Sequence, residues 1–391
     1  MTLRPVDTLA VTGRRVFLRV DFNVPYGEGG GILDDSRIQE ALPTIRHLQK
    51  SGARLIIASH LGRPKGRDLR LSLLPVGEHL SSLLKQDVIF PEDCVGDAVR
   101  KLIHNLKEGE LLLLENLRFH PEEEANDPSF SQKLASMVDV YVSDAFGALH
   151  RSHASTVGMV AHLKEKGIGL LIQKELAALT RLLENPSRPF YAVLGGAKVS
   201  DKIGVIENLL DRANGLLFGG ALAYTFLKAR GESIGGSKFE EEKLRVAQRI
   251  LDRAQEKQVA VLLPVDHKVV PQIEQANRCR VVTQIPEHET GVDIGPETVR
   301  LYREMLAKAG TIFWNGPMGI FENPVYSQGT FEIAKAVAGP GITSVIGGGE
   351  SVTACKQAGV AENVTHLSTG GGATLEFLEG KELPGLKALE I

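Results

Sequence analysis

The chain has 391 residues, enough for two domains that each bury a core of their own. Apolar residues make up 43% and charged residues 24%, a globular balance, and the net charge of −3 gives no whole-molecule field to draw in nucleic acid or an anionic membrane, so any anion binding must be local. The three cysteines, Cys94, Cys279 and Cys355, lie far apart, which excludes a disulfide framework or a zinc knuckle and fits buried thiols in a reducing cytoplasm. The first residues carry Arg4, Asp7, Arg14 and Arg15 rather than the apolar run of a signal peptide. No apolar stretch approaches the ~20 residues needed to span a bilayer, so the expected location is cytoplasmic.

In chain order, apolar runs at 16–20, 55–58, 111–114 and 138–142 read as strands, with a helical pattern over 38–50. Ile172, Leu176, Leu179 and Leu183 then recur at i, i+4, i+7 and i+11, one face of a helix, and the run 185–189 (NPSRP) stops it. Further strands are expected at 191–194, 216–218, 260–263, 311–314, 344–346 and 366–368. Short apolar runs without polar alternation suit strands buried on both faces, as in parallel sheets covered by helices. The expected fold is therefore α/β, with two lobes, each an open, mainly parallel, Rossmann-like sheet, joined by a helix and hinge. Residues 1–170 form the first lobe, 171–186 the connector, and the second lobe begins at 187.

Ligands of open α/β sheets bind beyond the carboxyl ends of the strands. In the first half those ends carry charge or polar groups: Arg19, Asp21 and Asn23 at the end of the first run, His60 and Arg63 after the second, Arg118 after the third, His150, Arg151 and His153 after the fourth. Arg37 precedes the 38–50 helix. A lone arginine is usually a solvated surface residue. Repetition at successive strand ends instead points to a pocket for a small polyanion, because guanidinium forks pair with both phosphate and carboxylate. His150 and His153 read equally well as polar turn residues.

In the second half the strand ends are glycine-rich: 195–198 (GGAK), 219–221 (GGA), 315–319 (NGPMG), 347–351 (GGGES) and 369–373 (TGGGA). Glycine permits close approach of a ligand, and a following helix aims N–H groups and its positive dipole end at phosphate. Five such turns in one lobe describe a nucleotide cradle. Neither G-x-x-x-x-G-K-[ST] nor G-x-G-x-x-G occurs, which removes the main support for a P-loop NTPase or a standard dinucleotide-binding dehydrogenase. A helix beginning near Ser200 would put Lys202 in its first turn, where a cation opposes the dipole by ~0.3–1 kcal/mol; an anionic ligand would offset that.

Seven segments together resemble the phosphoglycerate kinase family: 19–25 (RVDFNVP), 59–64 (SHLGRP), 115–121 (ENLRFHP), 144–147 (DAFG), 195–202 (GGAKVSDK), 314–319 (WNGPMG) and 368–373 (STGGGA). They stand in that family's order across almost the whole chain. The resemblance implies an ATP-dependent, Mg²⁺-requiring enzyme, usually monomeric, that moves a phosphoryl group reversibly between 1,3-bisphosphoglycerate/ADP and 3-phosphoglycerate/ATP by direct in-line transfer after the lobes close. It implies small-molecule partners only, with no nucleic acid and no membrane.

Carried over by motif, Asp21, Phe22, Asn23, Arg37, His60, Leu61, Gly62, Arg63, Arg118 and Arg151 would surround the phosphoglycerate. Lys198 would stabilise the phosphoryl group in flight, with Arg37, Gly349 and Gly372 completing the catalytic set. Gly196, Lys202, Gly219, Gly220, Gly291, Asn315, Pro317, Glu322, Gly348 and Ser351 would join Lys198 and Gly349 around the nucleotide. The resemblance also implies that the nucleotide lobe runs to 371 and that 372–391 returns to the first lobe.

Two departures stand out. The family usually reads GGGD where this chain has Gly347-Gly348-Gly349-Glu350, so the expected Mg²⁺ ligand is Glu350, longer by ~1.5 Å on a metal that tolerates little geometric error. Phe218 replaces a smaller residue before Gly219-Gly220 and is expected to alter the base pocket. The competing readings are a different nucleotide-dependent α/β enzyme, such as a dehydrogenase, and a binding protein that keeps both pockets without transfer.

Overall fold

The computed structural model describes residues 2–27 and 29–391. The chain divides into two compact units: residues up to Leu176 together with Glu382–Ile391, and Ala177–Lys381. The division falls inside the helix Leu170–Glu184.

The first unit is built on a five-stranded sheet: β1 Arg15–Val20, β2 Arg54–Ala58, β3 Leu111–Leu113, β4 Val140–Asp144 and β5 Glu165–Ile168. The order is β3-β2-β1-β4-β5 and every pairing is parallel. β1 to β4 are buried on both faces apart from the first residue of β1 and of β2, which is why their sequences are mostly apolar without polar alternation, with the buried Arg19, Ser143 and Asp144 as exceptions. β5 lies at the sheet edge and half of it is only partly buried, so its Glu-Lys-Gly-Ile sequence carries no strand signal. Ile38, Leu42, Ile45 and Leu48 place one stripe of the helix Ser36–Lys50 on this core.

The second unit holds a six-stranded parallel sheet of β6 Phe190–Leu194, β7 Gly215–Phe218, β8 Ala260–Leu262, β12 Thr311–Asn315, β13 Thr343–Gly347 and β14 His366–Leu367. Its order is β14-β13-β12-β6-β7-β8. Between β8 and β12 the chain makes a second, antiparallel sheet of β9 His267–Val270, β10 Arg280–Val282 and β11 Thr290–Ile294, ordered β10-β9-β11. These three strands carry charged and glycine residues and are partly solvated, so no apolar run announces them.

Each parallel sheet reverses its winding once. The reversal lies between β1 and β4 in the first unit and between β6 and β12 in the second. At such a point two neighbouring loops leave in opposite directions and open a crevice at the carboxyl ends of their strands.

Two expectations about the chain's path change. The helix after β6 begins at Ile203, not Ser200, and Lys202 is its N-cap residue. The return to the first unit begins at Glu382 rather than Gly372, because Gly372–Leu378 packs on Ile203–Leu209, with Asn208 Nδ2 donating to the Leu378 carbonyl.

Candidate functional site

In the first unit, the loops that follow β1, β2 and β3 are stitched into one surface. Phe22 N donates to Ser59 Oγ (2.8 Å), Gly62 N to Asn23 Oδ1 (2.8 Å), and Arg118 Nη1 to the Gly62 carbonyl (2.7 Å). Asn116 braces the next loop, taking Leu61 N (3.1 Å) and Arg118 N (3.0 Å) on Oδ1 and donating to the Leu61 and Leu71 carbonyls. Glu115 accepts from Ser72 Oγ (2.7 Å) and Leu73 N (2.8 Å).

Four cations converge here. Burial and the positive charges of Arg19, Arg118, Arg37 and Arg151 hold the His60 imidazole well below its usual pKa, so the ring is neutral. His153 is held at about 4 by burial, then by Arg118, Arg19 and Arg151. Arg37 forms an ion pair with Asp21, and Arg118, nearly buried, lies 3.1 Å from Glu124. A concentration of positive charge with only part of it neutralised attracts a compact polyanion.

Asp21, Asn23, Arg37, His60, Gly62, Arg118 and Arg151 therefore lie along one sheet edge. Arg63 is exposed just beyond Gly62. Phe22 and Leu61 are buried, and Leu61 gives both its backbone groups to Asn116, so these two shape the loops from beneath.

Four buried residues lie beneath this surface, and of these only Arg19 and His153 stand out in the sequence, as strand-end residues. Arg19 is 1% exposed, and its Nε donates to Ser155 Oγ (2.9 Å). Ser155 in turn donates from Oγ (2.5 Å) and from its backbone N–H (2.9 Å) to Glu123, which is completely buried. His153 Nδ1 lies 3.9 Å from the same carboxylate. Ser155 and Glu123 sit in ordinary-looking polar stretches, and only the tertiary structure reveals them.

In the second unit the crevice lies where β6 and β12 end. The backbones of 195–196 and 315–318 run against each other, with Gly195 N donating to the Asn315 carbonyl (3.0 Å) and Gly196 N to the Pro317 carbonyl (2.9 Å). A Cβ on Gly195 would stand 2.1 Å from the Pro317 carbonyl oxygen, so no other residue fits this crossing. Lys202, 8% exposed, donates from Nζ to the Asn315 carbonyl (3.3 Å) and to its side-chain oxygen. Burial lowers this ammonium to about 8, against the pull of Glu350 and Asp201. Asn315 Nδ2 donates to the Gly347 carbonyl (2.8 Å), and Ser351 Oγ accepts from Gly316 N (2.6 Å).

Beside this crossing a cleft of about 340 Å³ opens. Of the residues predicted for the nucleotide, Gly196, Gly220, Gly291, Pro317, Glu322 and Glu350 line it. Lys202, Asn315, Gly219 and Ser351 are buried supports around it. Lys198, Gly349 and Gly372 are exposed on the turns, and Gly348 is partly buried. The far wall adds Tyr224, Lys238, Ile273 and Thr290, contributed by the helix Gly220–Ala229 and by loops and strands of the small antiparallel sheet. Sequence reasoning misses Lys238, Ile273 and Thr290 because they follow no strand of the parallel sheet directly, and Tyr224 because it lies inside the helix after β7 rather than on the turn. Phe218 does not reach the cleft: it is fully buried and stacked on Phe226, 4.4 Å between ring centroids. The expectation that it alters the base pocket is corrected by this placement.

Glu350 is exposed in the first turn of the nine-residue helix Gly349–Gln357, at the edge of the cleft. A single hard carboxylate beside a phosphate cradle fits Mg²⁺, which commonly takes one or two protein carboxylates and fills its remaining positions with phosphate oxygens and water.

The sequence matches a family model described as phosphoglycerate kinase over residues 6–381. It is 54% identical over 395 aligned residues to a phosphoglycerate kinase of Anaeromyxobacter sp. (strain K), covering all of both chains. It is 50% identical to that of Koribacter versatilis, covering 100% and 99%. Its structure resembles phosphoglycerate kinase from Coxiella burnetii, with a TM-score of 0.89, 40% identity and 99% of each chain covered. The kinase from Pyrococcus horikoshii OT3 gives a TM-score of 0.87 at 36% identity, with 99% and 98% covered.

Proposed function

The chain belongs to the phosphoglycerate kinase family, and from that premise we propose a division of labour between its two crevices. The reaction is reversible phosphoryl transfer between 1,3-bisphosphoglycerate/ADP and 3-phosphoglycerate/ATP. Membership of the family closes the dehydrogenase reading.

The first unit binds the phosphoglycerate. Arg118 and Arg151 take its phosphate, with Arg63 reaching in from the exposed loop. Asn23 and His60 hydrogen-bond the glycerate. Arg37 exchanges Asp21 for the carboxylate or acyl phosphate, where its charge offsets that of the transferring group. The observation that carries this reading is the convergence of Arg19, Arg37, Arg118 and Arg151 on one neutral histidine at the carboxyl edge of a parallel sheet.

The second unit binds ADP or ATP. The base enters the cleft between Gly220 and Gly291, Glu322 meets the ribose, and the turns at 196–198, 348–349 and 371–372 face the phosphates. Lys202 holds the inner phosphates, and Lys198, exposed on its turn, follows the charge that develops during transfer. Glu350 would hold Mg²⁺, which would supply charge neutralisation on the phosphates.

A coupled assay with 3-phosphoglycerate, ATP and Mg²⁺ tests this assignment. Arg118→Ala and Arg151→Ala should raise the KM for 3-phosphoglycerate while leaving that for ATP within about twofold, whereas Lys202→Ala should do the reverse. Equal effects on both substrates would overturn the assignment.

A further inference from the structure

Arg19 is out of reach of any ligand, yet it touches the imidazole at the centre of the anion site. Its Nη2 lies 3.2 Å from His60 Nδ1. A guanidinium has five donors and no acceptor. A hydrogen bond between these two nitrogens therefore requires Nδ1 to be the bare, accepting nitrogen, and puts the ring proton on Nε2.

The guanidinium cannot turn away. Nε is fixed by Ser155 Oγ (2.9 Å), Nη1 donates to the Val20 carbonyl, and Glu123 anchors Ser155 through two hydrogen bonds of 2.5 and 2.9 Å. All four groups are at most 1% exposed. A buried, forked cation with a buried counter-carboxylate is costly to keep in a core. A lysine could supply charge there but not the fork.

The groups facing His60 set the alternative. Arg37, Arg118 and Arg151 act on the ring together with Arg19 as positive charges. Asp21 Oδ1 stands 4.0 Å from Nδ1, where it would draw a proton onto that nitrogen if Arg19 did not occupy it. We propose that Arg19 is a positioning residue, held by Ser155 and Glu123, that fixes His60 in the Nε2–H tautomer and so presents it to the phosphoglycerate as a neutral hydrogen-bond donor. The proposal rests on the reading above that His60 meets the phosphoglycerate.

The full-length enzyme labelled with ¹⁵N-histidine tests it. Two-bond ¹H–¹⁵N correlation spectra at pH 7 identify which ring nitrogen is protonated, and His60→Gln assigns the signals. Wild type should show His60 with a bare Nδ1 and a protonated Nε2. Arg19→Lys should shift the proton toward Nδ1, and Ser155→Ala, which keeps the cation but frees it, should give a mixture of the two. In Arg19→Lys the KM for 3-phosphoglycerate should rise roughly 10-fold, about the value of one hydrogen bond to a charged partner, with the KM for ATP unchanged. A wild-type His60 protonated on Nδ1, or the same tautomer in both variants as in wild type, would overturn the proposal. A tautomer that moves while the KM for 3-phosphoglycerate stays constant would uphold the role of Arg19 and remove His60 from the substrate contacts.

Discussion

Lys202 donates from its Nζ to the backbone carbonyl of Asn315, 3.3 Å away, so the ammonium is tied to the end of β12, at the point where the six-stranded sheet reverses. Burial brings this group to about 8, below its ordinary 10.5. The fold thus favours the neutral form more than the unfolded chain does, so its contribution to stability is present above pH 10.5 and is lost as the pH falls through 8. A nucleotide phosphate reverses the preference and raises the pKa. Nucleotide binding should therefore take up protons between about pH 8 and 10. Titration calorimetry in buffers of different ionisation enthalpy measures this uptake. Lys202→Met should abolish it.

Lys198 is exposed on the turn after β6, unlike the buried Lys202. Its charge matters most when negative charge spreads over the transferring group. Lys198→Ala should lower kcat by about 10²–10³ while the dissociation constant for ATP changes less than about fivefold. Steady-state kinetics beside equilibrium nucleotide titration decides it. Parallel losses would mean that Lys198 only binds ground-state phosphate.

Glu350 stands where the family usually has aspartate. The added methylene moves its carboxylate outward on an exposed helix turn. Glu350→Asp should shift the Mg²⁺ concentration for half-maximal activity, and Glu350→Gln should raise it by about tenfold or more. Superimposable Mg²⁺ curves for Glu350 and Asp would show that this side chain does not hold the metal.

The glycines of the cradle differ in what they protect. A methyl at Gly195 meets backbone oxygens of Pro317 and Gly316 at 2.1 and 2.6 Å, and neither can move without opening the crossing of β6 and β12. Gly195→Ala should cost on the order of 1–3 kcal/mol of stability. Among the described residues nothing lies within 4 Å of a Cβ on Gly349, so Gly349→Ala should leave the thermal midpoint unchanged or slightly raised. It should still weaken ATP binding, because the methyl stands where phosphate approaches the helix. Thermal melts and nucleotide titrations on the two variants separate the effects.

Asp144 ends β4 and Asp293 lies in β11, both buried. Burial pushes each carboxyl up to about 7 from 3.8, despite N–H donors from Leu171 and Ile172 to Asp144 and from Gly329 to Asp293. A raised acid favours the neutral form in the fold. Its contribution is whole below pH 3.8 and disappears as the pH rises through 7. Asp144→Asn and Asp293→Asn should each flatten the loss of stability between pH 4 and 7, a window worth on the order of 2–4 kcal/mol per group. Urea denaturation across that range checks the sign.

The sequence was most readable where burial on both faces forces an apolar run. The strands β1 to β4, β6, β7, β12 and β13, buried over nearly their whole length, announce themselves, and the residues after them can be read as ligand-facing without knowing the topology. Legibility fails in two physical situations. Edge and antiparallel strands such as β5, β10 and β11 are buried over part of their length at most, so Glu165, Arg280 and Thr290 look like loop residues. Buried polar networks are invisible because each member is unremarkable alone: Glu123 lies in a PEEE stretch and Ser155 in a polar turn, and only the fold brings them under Arg19. Lys202 shows the finer limit. Its neighbourhood was legible, but a three-residue error in the helix start hid that its amine points back to Asn315.

The small antiparallel sheet has a wider implication. Its β9–β11 pairing slips by one residue between Gly291 and Asp293, and it supplies part of the outer wall of the cleft without sharing a strand with the parallel sheet. The part of the molecule that would discriminate adenine from other purines is thus an appendage, whereas the part that would handle triphosphate is set in the sheet reversal. On the proposed nucleotide placement, drift at Thr290 in this sheet, or at Ile273 in the loop after its first strand, would retune which nucleoside is accepted without touching the phosphate-facing turns.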